Sequence, residues 1–279
     1  MKKILAVFDG LKFSDSTLQY AVKMGIQHNA MITGVFLEDM TYSSRGIYQL
    51  YSEKEYAVDN VKHLVEEDRH ERDAAVDRFE NACKDASIAY MVHRDKQLAV
   101  RDLLKESRYA DLLLLDASES MNRYTEESPT HFVREILEGT RCPVLLLPRH
   151  FTDIRRVFWL HDGSPVSIYA FKMFNYLLPV LNVLPMEIIT AHFPGREEET
   201  VNSVLFKELV SLHTPHAGFI SLIGQPDVEI PLFLRKQDKE SLLILGAYQR
   251  NVFSMLFKPS MADVLVREHQ WPLFIAHNK

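Results

Sequence analysis

The sequence predicts an α/β protein of two tandem domains, each a mostly parallel sheet covered by helices on both faces. Two observations carry this expectation. Short apolar runs alternate with amphipathic stretches along the whole chain, and one unit is written twice. In the second half the run Leu242, Leu243, Ile244, Leu245 ends at Gly246, Pro259-Ser260 follows thirteen residues on, and a helical segment closes on Trp271-Pro272-Leu273-Phe274-Ile275. In the first half Leu112, Leu113, Leu114, Leu115 ends at Asp116, Pro129-Thr130 follows at the same spacing, and a helical segment closes on Arg141-Cys142-Pro143-Val144. A chain of 279 residues with 47% hydrophobic composition divides naturally into two cores. The domains are expected at 1–149 and 154–279.

Each element has its own signal. Residues 4–8 are a β-branched and aromatic run stopped by Asp9-Gly10, and Leu18, Ala21, Val22 and Gly25 then recur at helical spacing. A second strand is expected at 31–37. From residue 38 to 56 no period holds, and Tyr42, Tyr48, Tyr51 and Tyr56 punctuate a polar segment that reads as a cover over a crevice or as a surface excursion with a few anchors. A long helix over 57–85 carries an apolar stripe of Val61, Leu64, Val65, Ala75, Val76, Phe79 and Ala82. Further strands are expected at 88–92, 112–115 and 144–147, with a helix at 98–106. The second half repeats the order: strands at 157–160, 188–191, 219–223, 242–245 and 273–275, and helices near 166–181, 198–212 and 227–235.

Composition removes several function classes. Lys and Arg number 20 against 25 Asp and Glu in residues 1–150, and 12 against 13 in residues 151–279, so neither half has the basic excess that nucleic-acid binding requires. The two cysteines, Cys83 and Cys142, have no paired spacing, which argues against a disulfide framework or a thiolate metal site. No run of about 18 apolar residues occurs and the start of the chain lacks a signal-peptide pattern, so a cytoplasmic protein is expected. His63, Glu67 and His70 share a helix face, but on so charged a helix they read as a solvated face, and no metal is expected. Nor does a catalytic constellation assemble: the phosphate-binding, nucleophile-elbow and His-Glu-x-x-His patterns are all missing. His161 reads as a structural residue at a strand end, with a base at a crevice mouth as the alternative.

The residues that punctuate the repeat carry a resemblance. Asp9-Gly10 and Asp162-Gly163-Ser164 after the first strands, Gly246 with Arg250 four residues on, Thr130 and Pro259-Ser260 opening the last helices, and Cys142-Pro143 and Trp271-Pro272 before the last strands resemble the universal stress protein family, over essentially the whole chain and twice. The resemblance implies a Rossmann-like domain, a five-stranded parallel sheet of order 3-2-1-4-5. It also implies pairing through the fifth strands, here Val144–Leu147 with Leu273, Phe274 and Ile275, which would hide two apolar edges within one chain. A homodimer is a further association that the family pattern admits.

In the family's nucleotide-binding branch, a loop of Gly, two residues, Gly, nine residues, Gly and Ser or Thr follows strand four. Glycines let the backbone approach phosphates, and amides at the helix start hold their oxygens. Here the spacing persists while the glycines are mostly replaced: Gly246, Gln249, Pro259, Ser260 in the second half, and Asp116, Glu119, Pro129, Thr130 in the first. Proline at the third position offers no amide hydrogen. Ligands of such sheets bind beyond the carboxyl ends of strands one and four, where the first half would gather Asp9, Gly10, Asp116, Glu119 and Thr130. A carboxylate about 4 Å from a phosphate oxygen costs on the order of 4 kcal/mol at an effective dielectric near 20, and only Arg123 in that loop could compensate. The first half is therefore not expected to bind ATP in the family manner unless a divalent cation intervenes; a cation site and a solvated acidic loop are the alternatives there. In the second half Asp162, Gly163, Ser164, Gly246, Gln249, Arg250, Lys258 and Ser260 form the candidate nucleotide or small-ligand site, with a helix cap as the other reading of Ser260. Two functions follow. The first is a non-catalytic stress-response protein that binds a small ligand or partner through its domain pair. The alternative is an ATP sensor or slow ATPase acting through the second domain only.

Overall fold

The computed structural model describes residues 1–37, 58–95, 99–121, 126–193, 203–246, 261–268 and 271–277. The expectations for Tyr42, Tyr48, Tyr51 and Tyr56, for Arg123, for the helix start at 198, for Gln249, Arg250, Lys258, Pro259 and Ser260, and for the side chains of Val61, Leu64 and Val65 lie outside the described residues. Two compact units divide the chain, Met1–Thr140 and Arg141–Lys279.

The first unit opens with β1 (Lys3–Asp9), whose six residues from Ile4 onward are buried, and turns into α1 (Asp15–His28). Ser14 starts that helix by accepting a hydrogen bond from the Thr17 amide at 3.2 Å, and Asn29, at φ 47°, ends it. β2 (Met31–Leu37) and the 28-residue α2 (Val58–Asp85) follow. Helix α2 is held by Phe79, which packs 5.6 Å from Phe8, 5.9 Å from Phe36 and 6.0 Å from Tyr90, ring centre to ring centre. Gly34 makes room for it, since a Cβ there would lie 2.8 Å from the Phe79 ring.

Strand β3 runs over Tyr90–Asp95, two residues later than the periodicity predicts. The reason is local. Ser87 adopts φ 52°, the Ile88 amide donates to the Cys83 carbonyl at 3.1 Å, and the Ile88 side chain fills the space beside Gly25, so Ile88 closes α2 instead of opening the strand. Helix α3 (Ala99–Glu106), β4 (Leu112–Asp116) and α4 (His131–Gly139) complete the unit. Its strands are parallel in the order β3-β2-β1-β4. Right-handed crossovers then put α1 and α2 on one face and α3 and α4 on the other.

The second unit begins with β5 (Val144–Leu147) and continues through β6 (Arg156–Leu160), α5 (Pro165–Leu177), β7 (Met186–His192), α6 (Val204–His213), β8 (Gly218–Ile223), α7 (Pro226–Leu234), β9 (Ser241–Gly246), α8 (Met261–Glu268) and β10 (Leu273–Ala276). Helix α5 stops four residues short of the expected 181 because Pro179 disfavours helical backbone at Leu178, and a short 3-10 turn takes over. Its strands lie in the order β8-β7-β6-β9-β10, all parallel, so the two units share one 3-2-1-4 pattern and the chain is a tandem repeat. On the far side of β10, β5 pairs antiparallel: Leu146 faces Leu273, Leu145 faces Phe274 and Val144 faces Ile275. All of these residues are buried. Among the described residues no helix is long and apolar enough to cross a membrane.

Candidate functional site

In the first unit the ends of β1 and β4 and the loop after β4 bring Asp9, Asp116 and Glu119 together, at 1%, 6% and 7% exposure. Each carboxylate is held by its own surroundings. Asp9 accepts from the Leu11 amide at 2.8 Å. Asp116 accepts from the Ser14 hydroxyl at 2.7 Å, and from the amide and hydroxyl of Ser118 at 2.8 and 2.6 Å. The Glu119 side chain folds back on its own loop and accepts from the amides of Ser120 and Met121 at 2.9 and 3.0 Å. Burial first, and then the neighbouring Asp9 and Asp116, raise the Glu119 carboxyl from 4.5 to about 8, against the two amides that favour its charge. Glu119 therefore holds its proton more tightly than an ordinary carboxyl, and the crevice is less negative than a count from the sequence alone implies.

The helix that follows is capped in the same self-contained way. The Thr130 hydroxyl donates to the Glu119 carbonyl and accepts from the Val133 amide at 3.1 Å, which makes it the N-cap of α4. The first amide of that helix, His131, donates to the Glu126 carboxylate at 2.9 Å. A phosphate held in the family manner would need the loop amides, the hydroxyl and the amides at the helix start. Among the described residues, Glu119 engages the loop amides of Ser120 and Met121, the Thr130 hydroxyl is given to the Glu119 carbonyl, and Glu126 engages the His131 amide. The sequence reading placed Asp9, Asp116, Glu119 and Thr130 here but missed Ser14, Ser118, Glu126 and Arg72, the last of which lays its side chain over Gly10 from α2. The Asp-x-Ser spacing of Asp116 and Ser118 was a legible turn signal; nothing in the sequence marks Glu126 or Arg72.

The corresponding loops of the second unit are built differently. Asp162 is exposed and accepts from the Ser164 amide at 3.0 Å, Gly163 takes φ 78°, and Ser164 caps α5 by accepting from the Ser167 amide at 3.2 Å. Gly246, at the position of Asp116, sits so close to the first turn of α5 that a Cβ would lie 2.5 Å from the Val166 carbonyl carbon and 2.6 Å from the Ser167 nitrogen. Its lack of a side chain is thus required by backbone packing, whatever ligand it meets. Gln249, Arg250, Lys258 and Ser260 lie outside the described residues, so only Asp162, Gly163, Ser164 and Gly246 of this candidate set have a structural setting here.

Beneath Asp162 the unit is filled by rings. Trp159 stacks on Phe171 at 4.1 Å, and His161 stacks on Phe206 at 4.7 Å and lies 4.7 Å from Trp159. Ser167 ties them together: it receives the Trp159 indole N–H at 3.0 Å, lies 3.1 Å from His161 Nδ1, and donates to the Leu160 carbonyl at 3.2 Å. Because the serine proton is directed at a carbonyl, and both residues are buried, this Ser-His contact is a core hydrogen bond and not an activated nucleophile. Among the described residues, no three His, Cys, Asp or Glu side chains are arranged to hold a metal, and His63 and Glu67 form an exposed pair at 3.3 Å. Both cysteines are buried and free, and burial pushes the Cys83 thiol up to about 12.

No protein-family model and no curated protein matches the sequence. Solved structures do match over the full length. A universal stress protein from Archaeoglobus fulgidus DSM 4304 superposes with a TM-score of 0.67 at 14% identity, covering 99% of this chain and 96% of that one. A protein of Pseudomonas aeruginosa UCBPP-PA14 ascribed to the same family gives 0.63 at 12% identity, covering 99% and 92%. A functionally unknown protein from Pseudomonas aeruginosa PAO1 gives 0.61 at 12% identity with the same coverage. At these identities the likeness shows the fold: the chain has the tandem, Rossmann-like architecture of those structures.

Proposed function

We propose that this chain, which carries the universal stress protein fold, is a non-catalytic, cytoplasmic stress-response member of that family that acts by binding a small ligand or a partner. The sequence repeat boundaries, 1–149 and 154–279, are part of the proposal. The observation that carries it is the filled donor set of the first unit, where Glu119 and Glu126 take the amides, and Thr130 the hydroxyl, that a phosphate would use. On this reading the first unit does not take ATP in the family manner unless a divalent cation intervenes. The second reading, an ATP sensor or slow ATPase acting through the second unit, draws support from the exposed Asp162 and from Gly246, but not from Ser164, whose hydroxyl serves a helix cap.

Freshly purified protein is denatured and its supernatant read for adenine absorbance, and ATP is titrated calorimetrically into the folded chain. No nucleotide and no heat are expected. Heat of binding would overturn the first reading in favour of the second. Its loss in Asp162→Ala would then assign the nucleotide to the second unit. A Gly246 substitution is unsuitable for that purpose, because it disturbs α5 directly.

A further inference from the structure

The two units differ at one connection. Between α1 and β2 the first unit has only residues 29–30, whereas between α5 and β7 the second has residues 178–185. Helix α5 leaves the carboxyl end of β6 and returns the chain to the amino end of β7, so this longer turn lies at the end of the unit opposite Asp162 and Gly246. Buried Leu181 anchors the turn, the amides of Leu181 and Leu184 donate to the Leu178 and Leu181 carbonyls at 2.9 and 3.1 Å, and Pro179 and Pro185 stiffen its two ends. What it turns outward is apolar. Val183 is 84% exposed, Val180 and Tyr176 are exposed as well, and the Tyr176 ring lies 5.8 Å from that of His213, which brings in Leu212, 80% exposed, from the end of α6. In a chain that is 25% charged, the run from Gly163 to Met186 holds a single charge, the exposed Lys172, and no acid. Two acids adjoin the patch in sequence. Glu187 faces the other side of the sheet with its register partner Phe158, which packs on Phe233 of α7, and Glu208 lies one turn before Leu212 beside Lys207. Residues 194–202 and 247–260 attach at the carboxyl ends of β7 and β9, away from this turn, and 269–270 attach to α8, which the Arg235–Glu268 pair ties to α7 on the far face.

We propose that this turn is a membrane-contact site that enters the interface of a bilayer bearing anionic lipid headgroups. The order of the side chains carries the assignment. Val180 and Val183 stand at the tip, Tyr176 behind them in the last turn of α5, and Lys172 one turn further back, about 6 Å along the helix axis. A bilayer presents the same order from inside outward: acyl chains, a boundary that favours tyrosine, and then phosphates, in a headgroup layer about 5–7 Å deep on each side. Fluid lipid closes around a projecting apolar turn without a preformed pocket. Lys172, the only charge in the run, matches an anionic leaflet and reaches its phosphates by extending its stem along the apolar surface. A few aliphatic side chains and one lysine give a weak, reversible anchor. The contact keeps Asp162 and Gly246 on the side of the unit away from the lipid.

The test is flotation of the full chain with phosphatidylcholine vesicles, with and without roughly one quarter phosphatidylserine, and circular dichroism melts verify folding. The parent is expected to float with the anionic vesicles at lipid concentrations on the order of 1 mM, and less with the neutral ones. Val180→Ser combined with Val183→Ser should weaken binding to the anionic vesicles by about tenfold or more. Lys172→Gln should weaken it about fivefold and leave binding to the neutral vesicles unchanged. In Val183→Trp the new indole should shift its emission to shorter wavelength on the vesicles and be quenched by bromine-labelled lipid, while Trp159 and Trp271 are buried and silent. Ile26→Ser, at an exposed apolar position of α1, should bind as the parent does. A parent that ignores both kinds of vesicle, as a turn kept for a protein partner would, overturns the proposal. So does binding that survives the paired serines, an anionic preference that survives Lys172→Gln, an indole that does not respond, or loss of binding in Ile26→Ser.

Discussion

Glu119 shows how far one side chain departs from its composition-level meaning. Its carboxyl is raised from 4.5 to about 8 by burial and by Asp9 and Asp116. Between those two values the unfolded chain gives up the proton while the folded chain keeps it. Stability from this group is therefore complete below about pH 4.5, declines as pH rises, and is gone above about pH 8. Glu119→Gln keeps an oxygen for the Ser120 and Met121 amides and removes the titration. In urea unfolding it should match the parent near pH 5 and exceed it at pH 8.5 by on the order of a few kcal/mol. A difference that does not grow with pH would refute the assignment. The sequence reading brings Asp9, Asp116 and Glu119 to one crevice from spacing alone, yet counts three charges there. The proton on Glu119 follows from burial, which no local pattern encodes, and the Glu126 contact to the His131 amide depends on how a loop closes.

Among elements, those with strong local signals are legible and those that depend on a neighbour are not. The strands 4–8, 112–115 and 144–147 read directly as apolar runs. The start of β3 does not, since Ile88 has a strand former's side chain but serves the end of α2 against Gly25. Gly246 illustrates the same limit. Spacing marks it as a phosphate-loop glycine, while its surroundings give it a packing duty against Val166 and Ser167. Gly246→Ala should accordingly lower stability by about 2 kcal/mol or more, because both atoms that the new methyl meets are backbone and cannot swing aside. Thermal unfolding with and without ATP checks this: the loss should be the same in both, whereas a loss seen only with nucleotide would assign Gly246 to the ligand.

For the molecule as a whole, the repeated strand order is legible because the hydrophobic punctuation is itself duplicated, whereas the compact division between Thr140 and Arg141 is not. Sequence periodicity groups Val144–Leu147 with the strands that precede it, while the resemblance implies its pairing with Leu273, Phe274 and Ile275, and the structure has that pairing, antiparallel to β10. A fragment spanning 141–279 should therefore be more stable than one spanning 150–279 by at least about 2 kcal/mol, since the shorter one exposes the buried edge of β10. Equal melting of the two fragments would contradict that grouping. The filled donor set in the first unit also bears on regulation. A side chain tethered a few residues from its amides competes at an effective concentration on the order of millimolar or higher, and it never dissociates into the surrounding solution. The amides of Ser120, Met121 and His131 are thus occupied by side chains of the polypeptide itself, and any group that binds there has to displace Glu119 and Glu126 first.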